Sequence, residues 1–470
     1  MQLHEYARYD AVGLRDLIRA GEVTADEVEA VAREAIAIAN AELNGLALPP
    51  FSPALHHAAD GPLAGVPFLI KDHGPVAEGV PFFLGSRAIP GILAQRDTDL
   101  MARFRAAGLV TLGLTAVPEL VLSFATESLR YGPTHNPWDR DRGVGGSSGG
   151  AAAMIAAGAV PLAHASDGAG SIRVPASCCG LVGLKPSRGR VPCGPDLGEP
   201  MLGMAYEFAL TRTVRDAAHL LDAVQGPGIG DKYTAPPPRG RYAGEREPGP
   251  LRVAVTTEPW SGTSVDGEVA QAVIQTGRMM ERLGHSVMAD RPELSWDDVL
   301  ASCVAEGVAI ASMLLRAPRQ PDPAQLEAVS RQLLSLASEY TALDMMSAFD
   351  AQNRVTRSVA TFFTRYDLLI TPTLGRLPAL HGTLRYNDPS HTFTTWLDSM
   401  FDYSPFTMVF NVSGHPAISL PLGHSATGLP IGVQLIAPYG REDLLFQTAT
   451  QLEHAMPWDH RVPGFSIRNH

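Results

Sequence analysis

Three polar positions stand where the chain is otherwise apolar or glycine-rich. Lys71 closes the run GVPFLIKDHG at 65–74. Ser147 sits inside GVGGSSGGA at 143–151, and Ser171 sits inside SDGAGSIR at 166–173. A serine hydroxyl is a weak nucleophile until a base removes its proton, and a lysine is such a base only when neutral. Together these residue types point to nucleophilic attack on a carbonyl. For the glycine-rich stretch itself, three readings compete: a linker, a phosphate cradle and a catalytic turn. A Gly/Ser linker is polar on both sides, yet AAAMIAAGAV follows at once. A phosphate loop would carry G-x-x-x-x-G-K-[ST], and 143–151 holds no lysine. A catalytic turn and a purely structural tight turn both remain.

The elements that must position these residues are read from periodicity. Thr24 with Glu27 forms a capping-box pattern, and Val28, Val31, Ala35 and Ile38 continue it as a helix to about Asn40. Strands are expected at 46–51, from Val66 to Ile70, and at 109–113, 159–166, 251–256, 367–374, 417–423 and 431–438. Helices are expected at 99–107, after 143 where the Gly-rich stretch opens a very apolar helix, at 214–224 and at 267–283, with a largely helical, mixed-charge region at 295–365. The stretch 226–250 reads as a long surface loop. Alternating short strands and helices argue for α/β architecture. One helix and one strand separate Ser147 from Ser171, so a helix–strand return can set them side by side.

Composition narrows the function classes. The 470 residues are 45% hydrophobic and 18% charged, with a net charge of −12. An acidic balance disfavours nucleic acid and anionic membranes, which reward positive charge. Four cysteines form no C-x-x-C pair, so neither a disulfide framework nor a zinc site is expected. Cys178 and Cys179 read as inert core thiols on an apolar, proline-flanked strand. No basic segment followed by an apolar run opens the chain, so the reading is cytoplasmic, without a signal peptide or membrane span. H-E-x-x-H is absent and the His56–His57 pair is isolated, so no metal and no cofactor are expected. His73 and His164 lie near the motifs but outside any G-x-S-x-G context.

At this point the sequence resembles the amidase signature family. The matching pieces are PLAGVPFLIKD (62–72), NPWD (136–139), GGSSGGAAA (145–153), DGAGSIRVPASCCGLVGLKPSRGRVP (167–192) and FNVSGHPAISLPLG…GLPIGVQLIAPYGREDLL (410–445). They occur in family order, and the match is weakest between about 225 and 400. The resemblance implies a large mixed, twisted β-sheet covered by helices on both faces. It implies one domain over 1–470, with an N-terminal helical segment (1–60) and a signature core (61–225). A more variable, largely helical insert (roughly 260–400) and a C-terminal return to the core (401–470) complete it. It makes Ser171 the nucleophile, Ser147 the bridging serine of a Ser–cis-Ser–Lys triad and Lys71 the general base. It makes the backbone N–H groups of Gly168, Ala169, Gly170 and Ser171 the oxyanion hole, and Gly146–Ser147 a cis peptide. Asp167 and Arg173 read as a charge pair holding the turn. Ala169 departs from the Gly-Gly-Ser common in the family and restricts the backbone there.

For Lys71 to act near neutral pH, its pKa must fall by roughly 3 from about 10.4, about 4 kcal/mol, and desolvation at the end of a buried strand would supply this. RVPAS, FNVSG and YGREDLL are similar to the branch of cyclic-nylon-oligomer hydrolases and aryl acylamidases. Variable segments at 120–128, 302–314 and 395–414 are expected to build the pocket, with Val121, Thr126, Phe401 and Phe406 as candidate lining residues. The clustered aromatics favour a bulky or aryl amide, an amino-acid oligoamide or a carbamate, with esters also reacting, and the expected protein is a monomer or homodimer. The alternative is the glutaminase-type subunit of a tRNA amidotransferase, which would need partner chains.

Overall fold

The computed structural model describes residues 1–470 apart from Pro75 and Glu245. Ten strands carry the architecture: β1 (Pro67–Lys71), β2 (Val110–Thr115), β3 (Leu162–Asp167), β4 (Val182–Lys185), β5 (Tyr206–Thr211), β6 (Arg252–Val255), β7 (Ser286–Ala289), β8 (Leu368–Pro372), β9 (Ala417–His424) and β10 (Pro430–Ile436). Eight of them form one mixed sheet in the order β7-β6-β8-β10-β9-β4-β5-β3. β6 runs parallel to β7 and β8, and the remaining pairs are antiparallel. β1 and β2 form a separate parallel pair. The Lys71 N–H approaches His164 Nδ1 of β3 at 3.5 Å, so β1 lies alongside the edge of the large sheet.

The central strands are apolar on both faces, as strands covered by helices must be. Every residue of β1, β2, β3, β4, β8 and β10 is buried. The helix Gly149–Ala156 is built of Gly, Ala, Met and Ile, and all but its last residue are buried. Its small side chains let it sink between β1, β2 and β3. Thr24 and Glu27 form the expected capping box, and the helix they open runs Ala25–Leu43.

Two expectations need correction. Only an isolated bridge between Leu46 and Thr115 forms in the 46–51 region; Pro49 and Pro50 have no N–H to give a ladder. Cys178 and Cys179 end the helix Arg173–Cys179 rather than lying on a strand. Pro175 falls in the first turn of that helix, where its missing N–H breaks no intrahelical bond. Both thiols are buried, and burial pushes Cys178 up to about 12, so neither is a reactive thiolate. The helix Trp296–Leu315 is long and apolar enough to cross a membrane, but it packs on the helices Ala328–Glu339 and Ala342–Phe362 and on the turn Pro200–Gly203.

Candidate active site

Lys71 ends β1 with no exposed surface. Its Nζ lies 2.8 Å from each of three hydroxyls, Ser147 Oγ, Ser148 Oγ and Ser166 Oγ, and 3.4 Å from the Ser166 carbonyl. Burial lowers its pKa to about 7, against the opposing pull of Asp167, Glu207 and Asp72. Those carboxylates are held by other groups. Asp72 accepts from the N–H of Phe83 and Gly85 and from the Tyr131 hydroxyl. Glu207 accepts from His73 Nε2 and His164 Nε2, both at 3.1 Å. Burial raises the Glu207 carboxyl, but the two imidazoles outweigh it and hold it well below the usual range. A neutral amine has two hydrogens and one lone pair. Here it can donate to two hydroxyls and take a proton from the third.

Ser147 and Ser148 enter through the turn before the helix Gly149–Ala156. The Gly146–Ser147 peptide is cis. A Cβ on Gly146 would stand 2.4 Å from the Ser123 carbonyl, so only glycine fits there. Thr126 Oγ1 donates to the Gly145 carbonyl at 2.8 Å, pinning the turn from the other side. Ser148 occupies the N-cap position but makes no side-chain cap. Its hydroxyl instead faces Lys71 Nζ and the Ser166 backbone.

Ser171 follows β3 on the turn 168–171. The Ser148 N–H donates to the Ser171 carbonyl at 3.3 Å, which brings the two turns together. Ser171 retains 6% exposure, and among the described residues its hydroxyl makes no hydrogen bond. Nor does any backbone N–H from Gly168 to Ser171 have a protein acceptor among them. Unpaired donors beside a free hydroxyl are groups an oxyanion could use. Gly170 has φ +148°, and a Cβ there would meet Thr407 Oγ1 at 2.6 Å. Thr407 Oγ1 donates to the Ala169 carbonyl at 2.6 Å and fixes the middle of the turn.

Beneath the turn, Asp167 and Arg173 form a fully buried, two-point ion pair, with Nη2 to Oδ1 at 2.7 Å and Nε to Oδ2 at 3.0 Å. Arg173 also donates to the Thr407 carbonyl and to Gln434 Oε1, at 2.9 and 2.6 Å. Asn411 Nδ2 donates to the Asp167 carbonyl and carboxylate. Burial would raise the Asp167 carboxyl, but Arg173 and Asn411 keep it below its ordinary value. The pair ties β3, the helix Arg173–Cys179, the helix Met408–Ser413 and β10 to one point.

The structure thus gathers Lys71, Ser147, Ser171, the turn 168–171, Gly146, Asp167 and Arg173. Of the four proposed lining residues, Thr126 braces the serine turn, and Val121 sits half-buried at φ +56° on the turn Glu119–Val121. Phe401 is packed edge-on against Phe124 and Trp296, and Phe406 against Trp260, both essentially without exposed surface. Sequence reading passed over Ser148, Ser166, Glu207 and Asn411. Ser148 and Ser166 had a signal, since each adjoins a motif residue. Asn411 lies in the FNVSG motif, where no role was read for it, and nothing in the motifs pointed to Glu207. His73, His164 and Glu207 present donor atoms within 4.8 Å of one another, as three ligands of one ion would; here the carboxylate is already bonded to both rings.

Comparison with known proteins now adds identity. The amidase family profile matches residues 27–446. This chain belongs to the amidase signature family. It is 38% identical to the 6-aminohexanoate-cyclic-dimer hydrolase of Pseudomonas sp. (strain NK87), over 97% of this chain and 96% of that one. The solved structure of a 6-aminohexanoate cyclic dimer hydrolase superposes with a TM-score of 0.92 at 36% identity, covering 98% of this chain and 99% of that one. A bacterial aryl acylamidase shares the fold at a TM-score of 0.84 and 24% identity, covering 98% of each chain. The chain is accordingly an amide hydrolase with the α/β fold of that family.

Proposed function

We propose that the protein cleaves amide bonds through an acyl-enzyme on Ser171. The observation that carries this reading is the buried Lys71 amine, with a pKa of about 7, at 2.8 Å from Ser147 Oγ. As Ser171 Oγ attacks the carbonyl carbon, its proton passes to Ser147, and the Ser147 proton passes to Lys71 Nζ. The carbonyl oxygen becomes an oxyanion and takes hydrogen bonds from the N–H groups of the turn 168–171; losing one such donor costs roughly 3–4 kcal/mol. The C–N bond then breaks, and the departing nitrogen receives the proton back through Ser147. Water repeats the sequence in the second half-reaction, releasing the carboxylic acid and restoring the Ser171 hydroxyl.

The substrate class on this reading is a bulky or aryl amide, an amino-acid oligoamide or a carbamate, and esters react by the same acyl-enzyme. Relatives named for the cyclic dimer of 6-aminohexanoate favour the oligoamide within that class. Replacing Ser171 with alanine tests the reading on a panel of p-nitroanilides, nylon oligomers and carbamates. Turnover is expected to vanish while the thermal unfolding transition stays in place; undiminished turnover would refute it.

A further inference from the structure

Eight acidic residues are buried among the described positions: Asp10, Asp72, Glu119, Asp167, Asp216, Glu306, Glu327 and Glu442. Seven have partners. Arg215 holds Asp10, Arg173 holds Asp167, and Arg190 holds Glu442. Asp216 accepts from the Ala11 and Val12 N–H groups, and Glu119, Glu327 and Asp72 accept from Ser86, Leu129 and Phe83. Glu306 is the exception. It is 5% exposed, and among the described residues neither a hydrogen bond nor an ion pair reaches its carboxyl, whose oxygens keep a narrow access to solvent. A buried polar group without a partner costs free energy, and native folds retain few of them without a reason.

The direction of the side chain supplies that reason. Glu306 lies on the inner face of the helix Trp296–Leu315. Its Oε1 would stand 2.6 Å from a Cβ on Gly168, so the carboxyl rests against the first residue of the turn that carries Ser171. The sulfur of Met201 closes on the same point at 3.5 Å. The only unpartnered buried acid among the described residues therefore lies against the turn that carries Ser171.

We propose that Glu306 is a specificity residue that reads a second amide group of the substrate through a two-point hydrogen bond. This deepens the amide-hydrolase reading above and rests on it. A protonated carboxyl offers one O–H donor and one carbonyl acceptor, which match the C=O and N–H of a secondary amide. Burial and the neighbouring Asp167 both push the Glu306 carboxyl well above its ordinary value, and no cation faces it, which favours the protonated form. An ammonium-bearing substrate would instead need the charged form. The expected preference is for di- and oligoamides over monoamides of the same length.

The test uses matched p-nitroanilide pairs, with either an acetamido group or an isosteric alkyl group, placed on the acyl chain in one series and on the anilide ring in another. Wild-type kcat/KM is expected to favour the acetamido member by about tenfold in at least one series, the worth of about one good hydrogen bond. Glu306→Gln keeps a donor and an acceptor and is expected to keep that ratio; Glu306→Met is expected to abolish it. Glu306→Met also removes an unpartnered buried carboxyl, so its fold is expected to survive. The same pairs are titrated calorimetrically onto Ser171→Ala protein, so the discrimination is read even if no anilide is turned over. Missing turnover with retained discrimination would sink the hydrolytic reading and leave the role of Glu306 standing. A wild-type ratio near one in both assays, a ratio that survives Glu306→Met, or one lost equally in Glu306→Gln would overturn the role of Glu306.

Discussion

On the proposed mechanism, the buried amine of Lys71 makes activity depend on pH. Burial brings its pKa from the ordinary 10.5 to about 7. Only the neutral amine can take the Ser147 proton. The expected kcat/KM on a p-nitroanilide is therefore level above about pH 8 and falls tenfold per pH unit below about pH 7. At pH 5 it should stand about 100-fold below the plateau. The same shift acts on stability. The folded pKa lies below the unfolded one, so between about 7 and 10.5 the unfolded chain holds more protons, and the stability of the fold rises with pH across that window. Below pH 7 the full cost applies, about 5 kcal/mol. Urea unfolding at pH 9 should therefore show a contribution from this group about 2 kcal/mol more favourable than at pH 7, absent from Lys71→Met. A rate profile that is flat from pH 5 to 9, or that still climbs through pH 10, would refute the argument that burial sets this base.

Two further outcomes follow from the site's geometry. Ser147→Ala removes the hydroxyl that the proposed mechanism uses as the proton relay; kcat is expected to fall by roughly 10²–10⁴ with little change in KM, measured by steady-state anilide hydrolysis. Arg173→Met leaves Asp167 buried and unpaired, and equilibrium unfolding in urea should show a loss of roughly 3–5 kcal/mol; a loss under about 1 kcal/mol would show that the pair does not hold the turn.

Much of the site was legible because its chemistry sits in short contiguous runs. Lys71 ends an apolar run, and a lysine there has no route to solvent once β1 is covered. The GGSSGG and GAGS turns announce themselves by glycines whose Cβ atoms would strike Ser123 and Thr407. What surrounds the amine was less legible. Ser166 looks like an ordinary strand serine until β3 is laid beside β1. Glu207 reaches the site only because β5 pairs with β3. Asn411 and Glu306 fall in the segments 395–414 and 302–314 that were expected to build the pocket, but spacing in one sequence does not say which of their side chains reach the turn. Phe401 and Phe406 illustrate the converse. Their clustering suggested a pocket, yet each ring is already met by an aromatic neighbour in the core. Cys178 and Cys179 were misplaced because an apolar run of seven residues fits a buried helix as well as a strand.

The central claim is that Ser171, and no other side chain, carries the acyl group. An activated ester mixed with the enzyme and quenched in acid within its first turnovers should leave a protein heavier by one acyl group. Peptide mapping by mass spectrometry should place that group on Ser171. Acylation on Ser147, Ser148 or a cysteine, or an unmodified protein during active turnover, would contradict the account.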